Sequence, residues 1–129
     1  MEIKVIDECK ELSLAGRITF PEVVMKLAGA GVERYIADMV GRSTYYYGID
    51  NSAYSTEFKF DAQQVAQNFN ATAVKSAITE IQQGHSNYKT FLAQIISAGC
   101  CHYEVFITGR KVIYFGRDGS SHTELFPSK

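Results

Sequence analysis

Residues 98–126 read AGCCHYEVFITGRKVIYFGRDGSSHTELF, and residues 30–58 read AGVERYIADMVGRSTYYYGIDNSAYSTEF. The two stretches align without a gap at an offset of 68 residues and share ten identities. These are Ala30/Ala98, Gly31/Gly99, Tyr35/Tyr103, Gly41/Gly109, Arg42/Arg110, Tyr46/Tyr114, Gly48/Gly116, Asp50/Asp118, Ser52/Ser120 and Phe58/Phe126. Average residue frequencies give only about two matches in such a window. Similar turns would account for the glycines and aspartates, but not for the paired tyrosines. An internal repeat does.

Each stretch has the pattern of three antiparallel strands. In the second, strands over Cys101–Thr108, Lys111–Arg117 and Ser120–Phe126 are separated by Gly109-Arg110 and Asp118-Gly119. Both dipeptides suit two-residue hairpins with positive φ. In the first, Gly41-Arg42 and Asp50-Asn51 mark the turns between Val32 and Phe60.

Helical patterns precede each meander. Ile3, Ile6, Cys9 and Leu12 are spaced for a helix over the first ~15 residues, closed by Gly16. Thr19-Phe20-Pro21-Glu22 is a capping box with proline in the first turn, leading an apolar stripe of Phe20, Val23, Val24, Leu27 and Ala28. Gly29 and Gly31 stop that helix. Asp61 with Gln64 predicts a further helix start. Val74, Ala77, Ile78 and Ile81 form a helical face ending near Gly84, and Tyr88, Phe91, Leu92, Ile95 and Ile96 form another ending at Gly99. The last stripe falls on that of Phe20–Ala28 under the same offset. The reading is a single α+β domain, 1–129, of two helix-β-β-β units near 1–60 and 61–129, with the helices packed on an antiparallel sheet.

Two-residue turns would set the register, and with it the residues that share a face. One face would carry Ile107–Val112–Leu125, Val105–Tyr114–Thr123 and Tyr103–Gly116–Ser121. The other would carry Phe106–Ile113–Glu124, Glu104–Phe115–His122 and His102–Arg117–Ser120. In the first meander Tyr35, Met39 and Tyr46 take the first face, and Ile36, Asp38, Tyr45, Tyr47, Tyr54 and Phe58 the second. Both faces then hold large apolar groups, so cover is expected on both, from helices, a partner subunit or a ligand.

Two constellations stand out. Tyr35, Tyr46, Tyr103 and Tyr114 beside Gly48 and Gly116 could frame a ligand slot, or serve as core tyrosines with satisfied hydroxyls. Glu104 and His122, with His102, Glu124 and Arg117 nearby, would share a cross-strand row fit for a hydrogen-bonded or metal-binding pair. Ile36 and Tyr54 stand at the matching positions of the first half. Cys100 and His102, two apart on a strand, would share a face and form the one nucleophile pairing available.

Composition narrows the classes. Lys plus Arg number 13 and Asp plus Glu 14, a net charge of −1, which offers no field for nucleic acid. Acidic residues near the start and the lack of a long apolar run imply no leader, no membrane and a cytoplasmic chain. Three cysteines, two of them adjacent, fit reduced thiols. No Walker lysine, Gly-x-Ser-x-Gly, His-Glu-x-x-His or Cys-x-x-Cys occurs, so no cofactor or catalytic set is expected.

Gly31-Val32-Glu33-Arg34-Tyr35 with Asp38, Ala98-Gly99 with Tyr103, and Val112-x-Tyr114-x-Gly116 through Gly119, His122, Glu124 and Phe126-Pro127 resemble a known family. It is the family of small bacterial proteins typified by YbcV and YdfO, of unknown function and often labelled phage envelope proteins. The resemblance spans nearly the whole chain and implies a bacterial or prophage setting; it brings no established activity, cofactor or catalytic residue to carry over. Because both apolar sheet faces need cover and no catalytic motif occurs, the expected function is a non-enzymatic domain that binds a small molecule or a protein, as a homodimer or on a host protein. The alternative is an enzyme or metal site centred on Glu104 and His122.

Overall fold

The computed structural model describes residues 1–61 and 63–127. Its elements are α1 (Ile3–Leu14), α2 (Phe20–Gly29), β1 (Val32–Asp38), β2 (Ser43–Gly48), β3 (Ala53–Glu57), α3 (Ala71–Gln82), α4 (Tyr88–Ser97), β4 (Cys100–Phe106), β5 (Lys111–Gly116) and β6 (Ser121–Leu125). Every element of the second half lies 68 residues after its counterpart in the first. The repeated unit is therefore α-α-β-β-β.

The local signals are strong. The Thr19–Glu22 capping box forms, with the Glu22 carboxylate accepting from the Thr19 backbone N–H at 3.0 Å. Asn70 and Asn87 cap α3 and α4 by accepting from the N–H groups of Ala73 and Thr90. The helix expected at Asp61 does not form; the chain there is irregular. This segment must run from β3, at one edge of the sheet, to α3, which packs on β6 at the other. Five strand spacings are about 24 Å, whereas the 13 residues between Glu57 and Ala71, wound wholly as helix, would advance only about 20 Å. Over its described residues the connection is irregular, held by Gln63 donating to the Ala93 carbonyl and by Ala66 N–H donating to that of Ile96.

The two meanders form one six-stranded antiparallel sheet, ordered β3-β2-β1-β4-β5-β6. β1 and β4 pair at its centre, with Ile36 opposite Glu104 and, symmetrically about them, Tyr35 opposite Val105 and Ala37 opposite Tyr103. Ile36 and Glu104 are repeat equivalents, so a pseudo-two-fold axis passes between them.

The hairpins differ from the expected two-residue turns. Phe106 pairs with Lys111, so four residues close that loop, with Arg110 left-handed at φ 56. A slip of two leaves the faces of β4 and β5 unchanged. The next turn has three residues: Gly116 N–H donates to the Ser120 carbonyl across Arg117-Asp118-Gly119, with Gly119 at φ 88. That single extra residue reverses every side chain of β6 relative to the expected register. His122 and Glu124 join Tyr114 on the helix side, and Thr123 and Leu125 turn outward. In the first half the same turn carries Tyr54 to the helix side, where its ring stacks 6.2 Å from that of Tyr46, and Phe58 is buried as well.

The core lies between this face and the helices, and strand positions alternate between buried and accessible. No outer-face strand residue among those described is fully buried, so the chain's own helices do not cover both faces. The outer rings are instead shielded by charged side chains: Arg34 sits 4.0 Å over Tyr47, and Lys111 lies 5.7 Å from Phe106.

Candidate ligand cavity

Between the helices and strands β1, β2 and β4, mainly over the first half, lies a cavity of about 680 Å³. Its floor is Tyr35, Ala37, Thr44, Tyr46 and Tyr103 from β1, β2 and β4. Its roof is Cys9, Lys10, Val23 and Leu27 from α1 and α2, and Phe20, Tyr88, Gly16 and Asn87 belong to its rim. The cavity opens to solvent at its rim, so water can reach its floor.

The repeat shows how it arises. Phe91, Val105 and Ile78 are the second-half equivalents of Val23, Ala37 and Lys10. Phe91 and Ile78 are buried, and Val105 is fully so. Larger apolar groups fill the second half where the first half is hollow.

Rings line the hollow in a stack. Tyr35 lies 5.4 Å from Tyr46, and Tyr103 lies 5.6 Å from Tyr114. The Tyr103 and Tyr88 hydroxyls are 2.6 Å apart and share a hydrogen bond. Phe20 stands at the position equivalent to Tyr88, so Tyr35 has no such partner. Its hydroxyl, like that of Tyr46, makes no hydrogen bond among the described residues, although Tyr35 is only 7% exposed. Burial, reinforced by the neighbouring phenols, pushes Tyr35 and Tyr103 well above the ordinary phenol value, and burial lifts Tyr88 to about 12. All are protonated donors at neutral pH.

Of the candidate tyrosines, Tyr35, Tyr46 and Tyr103 therefore line the cavity, while Tyr114 lies behind Tyr103 on the filled side. The glycines beside them open no slot. A Cβ on Gly116 would stand 2.6 Å from Phe69 Cβ, and one on Gly48 would stand 2.9 Å from Met1 Cγ. Met1 and Phe69 are repeat equivalents, and both fill the space the glycines leave. Thr44 and the rim residue Tyr88 had no sequence signal until compared with their counterparts, Val112 and Phe20.

Glu104 and His122 do not share a row. Glu104 pairs with Ile113 on the outer face and forms an ion pair with Arg34 at 3.2 Å. His122 lies on the helix side, 3.1 Å from Glu124, which Lys75 of α3 also reaches at 2.9 Å. Burial raises Glu124, but Lys75 and His122 outweigh it and hold the carboxyl below its ordinary value. The set fastens α3 to β6, as Tyr54 donating to Asp7 at 2.8 Å fastens β3 to α1. Among the described residues no group of three His, Cys, Asp or Glu side chains could hold a metal. His102 stacks 4.7 Å from Phe115 on the outer face, and a bulge between Cys100 and His102 puts Cys100 on the opposite side. The buried Cys100 thiol donates to the His102 carbonyl, and burial pushes it up to about 12, which disfavours the thiolate that a nucleophile needs. All three cysteines are free thiols.

Fold and cavity together define a duplicated α+β protein in which one half is hollow. Two stretches, residues 2–58 and 52–124, match the family DUF1398, described as a protein of unknown function, and the chain belongs to it. Each match falls largely on one copy of the repeat. No curated protein matches the chain. No helix among the described residues is long and apolar enough to cross a membrane.

Proposed function

We propose that the protein binds a small molecule in the cavity of its first half, without catalysing its conversion. The observation that carries this reading is the contrast between the halves, which share one backbone plan while only one is filled. Val23 and Ala37 leave open what Phe91 and Val105 close. The volume falls in the range of small-molecule sites, ~300–1,000 Å³. Apolar walls with a few convergent hydroxyls are the usual chemistry of such a site.

Copying the filled half into the hollow one tests the proposal. The folded protein is expected to bind 8-anilinonaphthalene-1-sulfonate in its native state, with enhanced fluorescence. Val23→Phe, or the smaller Ala37→Val, should abolish that binding and leave thermal stability equal or higher. Unchanged binding in both variants places the probe elsewhere and overturns the reading.

A further inference from the structure

We infer that the ligand is an apolar molecule bearing a single carboxylate, received by the phenol protons around Tyr35; this rests on the binding-site reading above. The lining of the cavity selects the sign of charge. Among its described residues Lys10 is the only charged side chain, and no carboxylate faces it. Lys10 donates one ammonium proton to Thr56 at 2.7 Å, which leaves two for other acceptors. A cationic ligand would meet no carboxylate here, would be repelled by Lys10, and would have only the aromatic faces to set against its desolvation.

The hydroxyls select for an acceptor. Tyr35 and Tyr46 keep their protons uncommitted, and the Tyr88–Tyr103 pair uses one of its two. Three phenol protons are thus available at the floor and rim of one cavity, while a single hydroxyl on a ligand would satisfy few of them. A carboxylate accepts up to about four hydrogen bonds. The substitution that frees Tyr35 is itself informative. In the second half Tyr88 partners Tyr103; in the first, Phe20 occupies the equivalent place and leaves a nine-tenths buried phenol facing the cavity. The Tyr35 hydroxyl faces the cavity rather than the packed core, so its proton is open to whatever acceptor occupies the space.

Decanoate and decanol, matched in chain length, separate acid from apolar body in calorimetric titrations of the full chain. Decanoate is expected to bind at least tenfold more tightly than decanol. Tyr35→Phe should weaken decanoate about tenfold or more, the effect of one hydrogen bond to a charged group, and change decanol by less than about twofold. Thermal melts verify that the variant is folded. Equal affinities for the two probes, or an unaltered decanoate affinity in Tyr35→Phe, overturn the carboxylate inference while the cavity site stands. Failure of both probes and of the anilinonaphthalene dye to bind overturns the site itself.

Discussion

Gly99 and Gly119 share a left-handed backbone, at φ +89 and +88, yet they answer to different constraints. Around Gly119 a Cβ would meet open space, so its glycine serves the three-residue turn alone. A Cβ on Gly99 would collide with the Asn68 carbonyl and stand 2.9 Å from Phe69 Cα. There the segment entering α3 crosses the start of β4, and Asn70 N–H donates to the Ala98 carbonyl at 2.7 Å. The first half repeats the contact, with Glu2 N–H donating to the Ala30 carbonyl at 2.9 Å. Gly119→Ala should therefore cost about 1 kcal/mol from backbone strain alone. Gly99→Ala adds a backbone collision and should cost about 3 kcal/mol, read as the shift in urea midpoint at constant slope. Equal losses would mean that the crossing segment yields. The same scale explains the other identities: Arg42 and Arg110 take φ 55 and 56 and donate to the Phe60 and Pro127 carbonyls, securing the chain after the third strand of each unit.

At the scale of elements, the helices and strands were legible because caps and periodicity agree with the packing that encloses them. The register of β6 was not. Asp118-Gly119 suits either a two- or a three-residue loop, and the choice depends on whether Gly116 or Arg117 makes the last ladder bond. One residue of difference carried His122 away from Glu104, and with it the expected metal or acid–base pair. The cavity was half legible: the tyrosines were visible, but a hollow is a property of what faces them across the core. What His122 and Glu124 do instead is tie β6 to Lys75 of α3. Since Glu124 sits below its ordinary value when folded, the tie is complete above the unfolded value near 4.5 and fades as pH falls through the lower folded one. Glu124→Gln should lower stability by about 1 kcal/mol at pH 7, the half-exposed Lys75 keeping the effect modest. The gap between variant and parent should close below about pH 4. Urea titrations at pH 7 and pH 3 measure it; a gap that persists at pH 3 would place the loss in packing.

For the whole molecule, the repeat is also an interface. Phe58 of the first unit stacks 6.5 Å from Tyr88 of the second, and Phe126 of the second meets Phe20 of the first edge-on at 5.6 Å. With the β1–β4 pairing, each unit holds the other as the subunits of a symmetric dimer would. The axis residues then decide whether a lone unit could pair with its own copy. Two first units joined through β1 in the β1–β4 register would set Ile36 against Ile36 and Arg34 against Asp38 on both sides. Two second units would instead set Glu104 against Glu104, and Glu104 would lose the Arg34 that neutralises it at 3.2 Å. Opposed like charges on neighbouring strands are unfavourable by about 0.2–1 kcal/mol, and opposed apolar or opposite-charge pairs favourable by as much. A fragment of residues 1–61 should therefore run as a dimer in light scattering after gel filtration. A fragment of residues 69–127 should dissociate at concentrations about tenfold or more higher. Glu104→Ile in that second fragment should recover most of the difference, because it restores the first unit's apolar contact on the axis. Monomeric first-unit fragments would show instead that the fused chain has drifted from the symmetric geometry, and that Ile36 and Glu104 are matched only to each other.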